Sequence, residues 1–410
     1  MASIGPTRQV TTAAQGGSVK VAPRTNRYRR TRRSELVIWW REIDRVLLGL
    51  VLTLVAVGTI AVAAASPASA HRLSTPGKTL SDLYFFWLHV RWLAVGLFAM
   101  FVASLLPKET TRRLAILLAG AMLVALVLVP IFGSEVKGAR RWLFIGFSLQ
   151  PSEFLKPGFA IAVAWILSWR VRDPNIPVIG ITIGLMVLVG ALLMAQPDFG
   201  STVLFCGVWF VLVLLSGLSL ARIGWSVGGG IMIVVLAYLF YPNATHRIDA
   251  FLSGGSEFDQ VDLAMRTLVS GGWSGSGLWL GSRKMALPEA HTDYIFSVIG
   301  EEFGLIACAV IVVLYCAIVI RVMLRLADEE DLFTILAAAG LTAQLAGQAF
   351  INILVNLQLF PSKGMTLPLI SYGGSSTIAL LLGVGFLLAI TRRNPYLSRE
   401  TPDFREFTRA

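Results

Sequence analysis

Apolar runs of roughly 20 residues, each long enough to cross a bilayer, recur along this chain with only short polar stretches between most of them. They predict spans near 46–66, 84–106, 114–132, 153–170, 176–195, 200–217, 220–241, 293–322, 333–355 and 371–391. The expected fold is therefore an all-α polytopic integral membrane protein of about ten transmembrane helices. Basic residues mark alternate ends of these spans: Lys108, Arg112 and Arg113, then Arg170 and Arg172, then Arg222, then Arg321 and Arg325, and last Arg392 and Arg393. The positive-inside bias makes those ends cytoplasmic, and both termini with them.

The same pattern divides the chain into a basic tail over 1–45, a helical bundle over 46–391 and a cytoplasmic C-terminal tail over 392–410. One long extracytoplasmic loop, 242–292, interrupts the bundle, and no separate soluble domain is expected. The N-terminal tail packs Arg24, Arg27, Arg29, Arg30, Arg32 and Arg33 together and is expected to be disordered. It holds the N terminus in the cytoplasm or docks on anionic lipid or a partner. A signal-peptidase-like Ala68-Ser69-Ala70 follows the first span, but far too much chain precedes it for a cleaved leader, so that span is read as retained.

Composition sharpens this picture. Only 14% of residues are charged and the mean hydropathy is +0.71, values that exclude a soluble protein of this length. The formal charge of +11 sits in the tails and short loops as topology signals do, so nucleic acid is not an expected partner. Cys206, Cys308 and Cys316 all fall inside apolar spans, where packing is expected rather than a disulfide or metal site.

Three polar stretches run against the apolar background. The first, LPEAHTDYIF, carries Glu289, His291 and Asp293 from the long loop straight into a span. Asp293 alone reads as a helix N-cap, but Glu301 and Glu302 lie about 12 Å further along the same helix at 1.5 Å per residue. Ionisable groups at that depth face the bundle interior or a cavity, or pair with another helix. The second stretch is GARRW followed by QPSEFLKP. Here Arg140 and Arg141 offer guanidinium forks suited to phosphate or pin their loop to an acid, and Glu153 and Lys156 share a helix face at i and i+3. The third, FPSKGMTLPLISYGGSS, is too broken by Pro and Gly to span and too apolar for a free loop. It is expected to fold back into a protein-lined cavity beside Lys363. A fourth segment, QPDFG, is a tight turn in which Asp198 caps the next helix. Together these features describe an outward-facing cavity with a carboxylate, several cations and an apolar wall, suited to an anionic lipid.

At these residues the sequence resembles the SEDS family (shape, elongation, division and sporulation) of polytopic peptidoglycan polymerases. GARRW with QPSEFLKP, AQPDFGS, LPEAHTDYIFSVIGEEFGL and FPSKGMTLPLISYGGSS occur in the family's order, and the likeness covers about Asp44 to Tyr396. It departs from the family at GSGLWLGSRKMA and NLQLFP. The resemblance, closer to division than to elongation members, implies a glycosyltransferase that polymerises lipid II into glycan on undecaprenyl pyrophosphate at the outer face of the inner membrane, at the division septum. It places the catalytic carboxylate on Asp293 and substrate-binding positions on Arg141, Glu153, Lys156, Glu289, His291, Glu301 and Lys363, to which the electrostatics add Arg140. It also implies a class B penicillin-binding protein and other division proteins as partners. A divalent cation, Mg or Mn, shared with pyrophosphate oxygens is compatible with such a site.

Two rival classes are a lipid II flippase and a noncatalytic division scaffold. A transporter should show internal repeats and binding groups near the midplane. No repeat is evident, and most of the candidate polar groups lie on one side. A scaffold explains the basic tail but not the carboxylate-and-cation cluster.

Overall fold

The computed structural model describes residues 32–136, 139–144, 146, 148–217, 260–361 and 364–393, with single positions at 224, 228, 239, 245 and 249. Most of the expected seventh span, Lys363 and most of both tails lie outside the described residues. The described part is mainly helical. Among these residues seven helices are long and apolar enough to cross a membrane, and two shorter apolar helices accompany them.

The order is α1 (Arg32–Glu42), α2 (Arg45–Leu73), α3 (Tyr84–Ser104), α4 (Lys108–Phe132), a small sheet of β1 (Ser134–Val136), β2 (Ala139–Phe144) and β3 (Ser148–Leu149), and then α5 (Pro151–Ser168), α6 (Val178–Ala195) and α7 (Phe199–Leu215). After the undescribed stretch follow α8 (Gln260–Ser270), α9 (Ile295–Leu326), α10 (Leu332–Asn356) and α11 (Ser375–Ile390). Helix starts follow local chemistry. Asp44 accepts from the backbone N–H of Val46 and Leu47 at 3.1 Å each, Asp198 caps α7 through Ser201, Asp331 caps α10 through Thr334, and Pro151 supplies the first turn of α5.

Helices α5 and α10 form the centre, each 67% buried over its most apolar stretch, against 22% for the peripheral α4. Around them, α11 packs on α3, α4 on α5, α2 on α9, and α7 on α10. The main core they share runs from Leu47 and Val51 through Phe159 and Phe205 to Leu336 and Phe386, and a second, smaller cluster gathers Ala65, Ala264, Leu287, Tyr294 and Val355.

The structure departs from the sequence expectation at four places. Residues 32–42 are helical although the whole tail to residue 45 was expected to be disordered. The apolar residues Leu36 to Trp40 support that helix, and Trp39 Nε1 donates to Ser104 Oγ at 3.0 Å. The loop after α4 is an antiparallel sheet in the order β1-β2-β3, with Ser134 opposite Trp142 and Leu143 opposite Leu149. Its reversal between β2 and β3 includes Gly146 at φ +89°. The long loop contains α8, a helix packed on α9. The first span continues to Leu73 and carries Ala68, Ser69 and Ala70 as buried helix residues.

One end of the bundle is tied together by charge. Arg321 meets Asp44 at 2.8 Å, Arg392 meets Glu42 at 3.0 Å, and Arg393 reaches Asp328 at 3.5 Å. Arg321, Arg392 and Arg393, three of the basic residues expected on the cytoplasmic side, thus lie at one end. The polar stretches of interest lie near the opposite ends of α9 and α10.

Candidate active site

Asp293 precedes α9, whose N-cap position is Tyr294, a residue that makes no side-chain cap bond. The loop leading to it is fixed by its own contacts. Glu289, at φ +53°, accepts through its carbonyl from the N–H of Thr292 and Tyr294 at 3.1 and 3.3 Å. Its carboxylate accepts the Thr292 hydroxyl at 3.0 Å. A left-handed conformation is costly for a residue with a side chain, and these bonds hold it in place.

His291 is buried beside α2 and α3. Its Nδ1 lies 2.7 Å from Ser69 Oγ, and its ring sits against Phe85 at 4.2 Å and stacks on Tyr372 at 5.4 Å. Its carbonyl accepts from the Tyr372 N–H at 3.0 Å.

The broken segment before α11 folds back into the bundle as its composition predicts. Met365, Leu367, Leu369, Ile370 and Ser371 are buried. Gly58 of α2 makes room for it, since a Cβ there would stand 2.5 Å from the Ile370 Cα. Ser371 joins this segment to the Asp293 loop: its hydroxyl donates to the Thr292 carbonyl at 2.6 Å and accepts from the Leu367 N–H at 2.8 Å. The Asp293 carboxylate lies against Gly364, where a Cβ would be 3.5 Å from Oδ2.

Beneath the segment, Lys156 and Glu153 form a buried ion pair at 2.6 Å. Glu153 also accepts from Ser376 Oγ at 3.0 Å, and Lys156 donates to Gln348 Oε1 at 3.1 Å. Gln348 in turn donates to the Thr366 carbonyl at 3.0 Å. Pairing and further hydrogen bonds are what allow charges to be buried at this depth.

Asn352 and Asn356, one and two turns further along α10, both donate to the Asp293 carbonyl, at 2.8 and 3.2 Å. Neither was singled out from the sequence, nor was Gln348. The available signal was a row of carboxamides at i, i+4 and i+8 in an otherwise apolar span.

Other sequence candidates stand apart from this group. Glu301 is buried, and its two oxygens accept from the backbone N–H of Arg283 and Lys284 at 2.7 and 2.9 Å. Its neighbour Glu302 accepts from the Trp279 N–H at 2.6 Å and pairs with Lys284. Both carboxylates therefore hold the loop over 279–284. Arg141 donates from Nε to the Gln196 carbonyl at 3.1 Å and from Nη2 to the Pro197 carbonyl. Arg140 is exposed and lies 3.5 Å from Glu135. The hairpin thus faces the α6–α7 turn, and none of the described contacts of Arg140 or Arg141 reaches Asp293.

Among the described residues no three His, Cys, Asp or Glu side chains come together to hold a metal ion. The described side chains alone do not fit a self-contained metal centre.

The FtsW/RodA/SpoVE family model, described as cell cycle protein, matches residues 44–396. The chain belongs to this family. A relative from Caulobacter vibrioides (strain NA1000 / CB15N), named probable peptidoglycan glycosyltransferase FtsW, is 36% identical over 377 residues, 90% of this chain and 95% of the relative. A Hahella chejuensis protein of the same name is 37% identical, covering 85% of this chain and 90% of its own length. Among solved structures, a chain of a peptidoglycan synthase complex that coordinates polymerization and crosslinking superposes with a TM-score of 0.71 at 27% identity, covering 88% of this chain and 100% of that one. The rod shape determining protein RodA of Thermus thermophilus superposes with a TM-score of 0.63 at 28% identity, covering 86% and 97%.

Arg141 yields a first prediction. Its two described bonds go to backbone carbonyls of the α6–α7 turn, and a lysine supplies a point charge in place of the planar fork. Arg141→Ala should weaken use of the lipid substrate more than Arg141→Lys, with lysine restoring only part. Steady-state kinetics of the two purified variants check this, and parent-like behaviour in both would make the arginine dispensable.

Proposed function

We propose that this chain is a peptidoglycan glycosyltransferase that polymerises lipid II into glycan strands at the outer face of the cytoplasmic membrane, for septal wall synthesis in division. The observation that carries the reading is the Asp293 loop. Its carboxylate is presented beside the folded-back segment at Gly364, and that segment is linked through Gln348 to the buried Glu153–Lys156 pair. The names of the FtsW relatives support the activity and the septal role.

The hydroxyl of the acceptor sugar attacks the anomeric carbon of the donor. A β-1,4 C–O bond forms as the bond from that carbon to the pyrophosphate oxygen breaks. Asp293 takes the hydroxyl proton as general base. Undecaprenyl pyrophosphate leaves with the bonding electrons and needs no proton from an acid. Lys156 and Lys363, with Arg140 and Arg141 on the hairpin, supply positive charge for the lipid-linked pyrophosphates. His291 and Glu289 fix the loop that presents Asp293, and Glu301 fixes the loop before it. A divalent cation, Mg or Mn, belongs to this reading only as one brought by substrate oxygens, and no step depends on it.

The partner is a class B penicillin-binding protein, the transpeptidase that crosslinks the new strand. The likeness to a chain of a synthase complex supports that pairing. Contact with the loop over 242–292 would shift the population of Asp293 loop conformations toward the active one.

Reconstitution with fluorescent lipid II, scoring polymer separately from translocation, tests the whole reading. We expect glycan strands, little activity from the isolated chain and a clear rise with the cognate transpeptidase. Translocation without polymer would replace the enzyme reading with a flippase. Full activity that ignores the partner would remove the activation mechanism.

A further inference from the structure

Helix α10 buries four carboxamides, Gln344, Gln348, Asn352 and Asn356, and the last three, at 1%, 2% and 0% exposure, bond the segments around Asp293. Spaced four residues apart, these three form a row about 12 Å long on one face. A buried amide without partners is costly in such an interior; each of these three is partnered outside its own helix, whereas Gln344 Oε1 accepts no hydrogen bond from the described residues. Gln348 joins Lys156 to the Thr366 carbonyl. Asn356 donates to the Asp293 carbonyl and accepts from Ser297 Oγ at 2.7 Å.

Asn352 is the hinge of the row. Its Nδ2 donates to the Asp293 carbonyl at 2.8 Å and to the Met365 carbonyl at 2.7 Å. A carboxamide nitrogen carries two protons, so each of these bonds uses one. The two acceptors belong to two different non-helical segments, the loop that carries the candidate base and the segment at Gly364 against which its carboxylate lies. Asn352 therefore sets the spacing between the base and the segment its carboxylate lies against.

We propose that Asn352 is a positioning residue for glycan polymerisation, holding Asp293 in register with the 364–367 segment. Asn356 and Gln348 extend the hold toward α9 and toward the Glu153–Lys156 pair. The proposal rests on the assignment of Asp293 as general base. The Asn352 side chain donates to main-chain carbonyls of these segments and accepts from Asn356 Nδ2 at 3.3 Å, so its removal displaces the carboxylate and leaves the charges available to the pyrophosphate unchanged.

The test uses the full-length chain purified with its transpeptidase and assayed with fluorescent lipid II. In Asn352→Leu, which has similar volume and no donors, kcat per folded molecule should fall about 10- to 100-fold, as expected for a misplaced catalytic group, with KM within about threefold. Asn352→Gln keeps both protons on a longer arm and should recover part of kcat. Where Asn352→Leu does not fold, Asn352→Ser takes its place in each comparison.

Full kcat in a folded Asn352→Leu or Asn352→Ser protein overturns the proposal. So does an unchanged kcat accompanied only by lower thermal stability, which is the signature of a packing role. Retained activity in Asp293→Asn overturns instead the assignment of the base on which the proposal rests, so the two failures are told apart.

Discussion

Asp293→Asn is expected to abolish glycan polymerisation while leaving the protein folded and inserted. The side chain keeps its shape, and the contacts that pin this position from α10 end on the Asp293 backbone carbonyl, which the substitution does not alter. The Thr292 carbonyl likewise keeps its bond from Ser371. What is lost is the ability to accept a proton from the attacking hydroxyl, since an amide is not a base at neutral pH. Loss of a general base costs roughly 10²- to 10⁴-fold in rate, enough to take a slow polymerase below detection. The measurement is polymer formation from fluorescent lipid II by the purified variant, with its unfolding temperature recorded beside the parent's. Near-normal strand synthesis by a folded Asp293→Asn protein would sink the assignment of Asp293, whatever the other residues of the cavity do.

Much of this site was legible in the sequence because its charges are conspicuous against an apolar background. Glu153 and Lys156 at i and i+3 announce a shared helix face, and the structure joins them. The Pro- and Gly-rich segment before α11 announces non-helical backbone that must be buried in protein, and its residues are buried. Span positions were legible for the same reason, since the cost of unsatisfied backbone groups in lipid forces apolar runs into helices.

What was not legible depends on contacts between distant segments. Asn352 and Asn356 carry no charge and sit among alanine, leucine and isoleucine, and their significance comes from carbonyls 59 and 63 residues away in the chain. The local pattern shows that these amides share a face but not what they face. Glu301 and Glu302 stood out correctly as buried acids. Their partners are largely backbone N–H groups of a glycine-rich loop, and no sequence pattern records the pairing. The short sheet after α4 escaped because its strands are only 3, 6 and 2 residues long, too short for alternation to register.

That glycine-rich loop leads to the second large effect. Residues 271–286 cross α9 where the helix is interrupted at Gly304, whose φ of +82° and ψ of 173° are not helical. Ser276 and Gly277 donate to the freed carbonyls of Glu301 and Glu302 at 2.8 and 3.0 Å. Gly275 makes this approach possible, because a Cβ there would stand 2.2 Å from the Glu302 carbonyl oxygen. Lys284 then locks the strap. Its ammonium pairs with Glu302 and donates to the Ala64 carbonyl of α2 at 3.1 Å, and both side chains of the pair are nearly inaccessible to solvent, at 3% and 0%. Removing one partner of such a pair leaves a charge uncompensated in a dry interior, which costs about 3–5 kcal/mol. Lys284→Met should therefore lower the unfolding temperature in detergent sharply and reduce the yield of folded protein. Losing both charges together is far milder. In Lys284→Met/Glu302→Gln the glutamine oxygen still accepts from the Trp279 N–H, so most of the lost stability should return. Because the strap runs directly into the 287–293 loop, the single variant should also lose polymerase activity, and the double variant should regain it together with the fold. A Lys284→Met protein as stable as the parent, or a double variant no more stable than the single one, would show that the buried pair does not hold this strap.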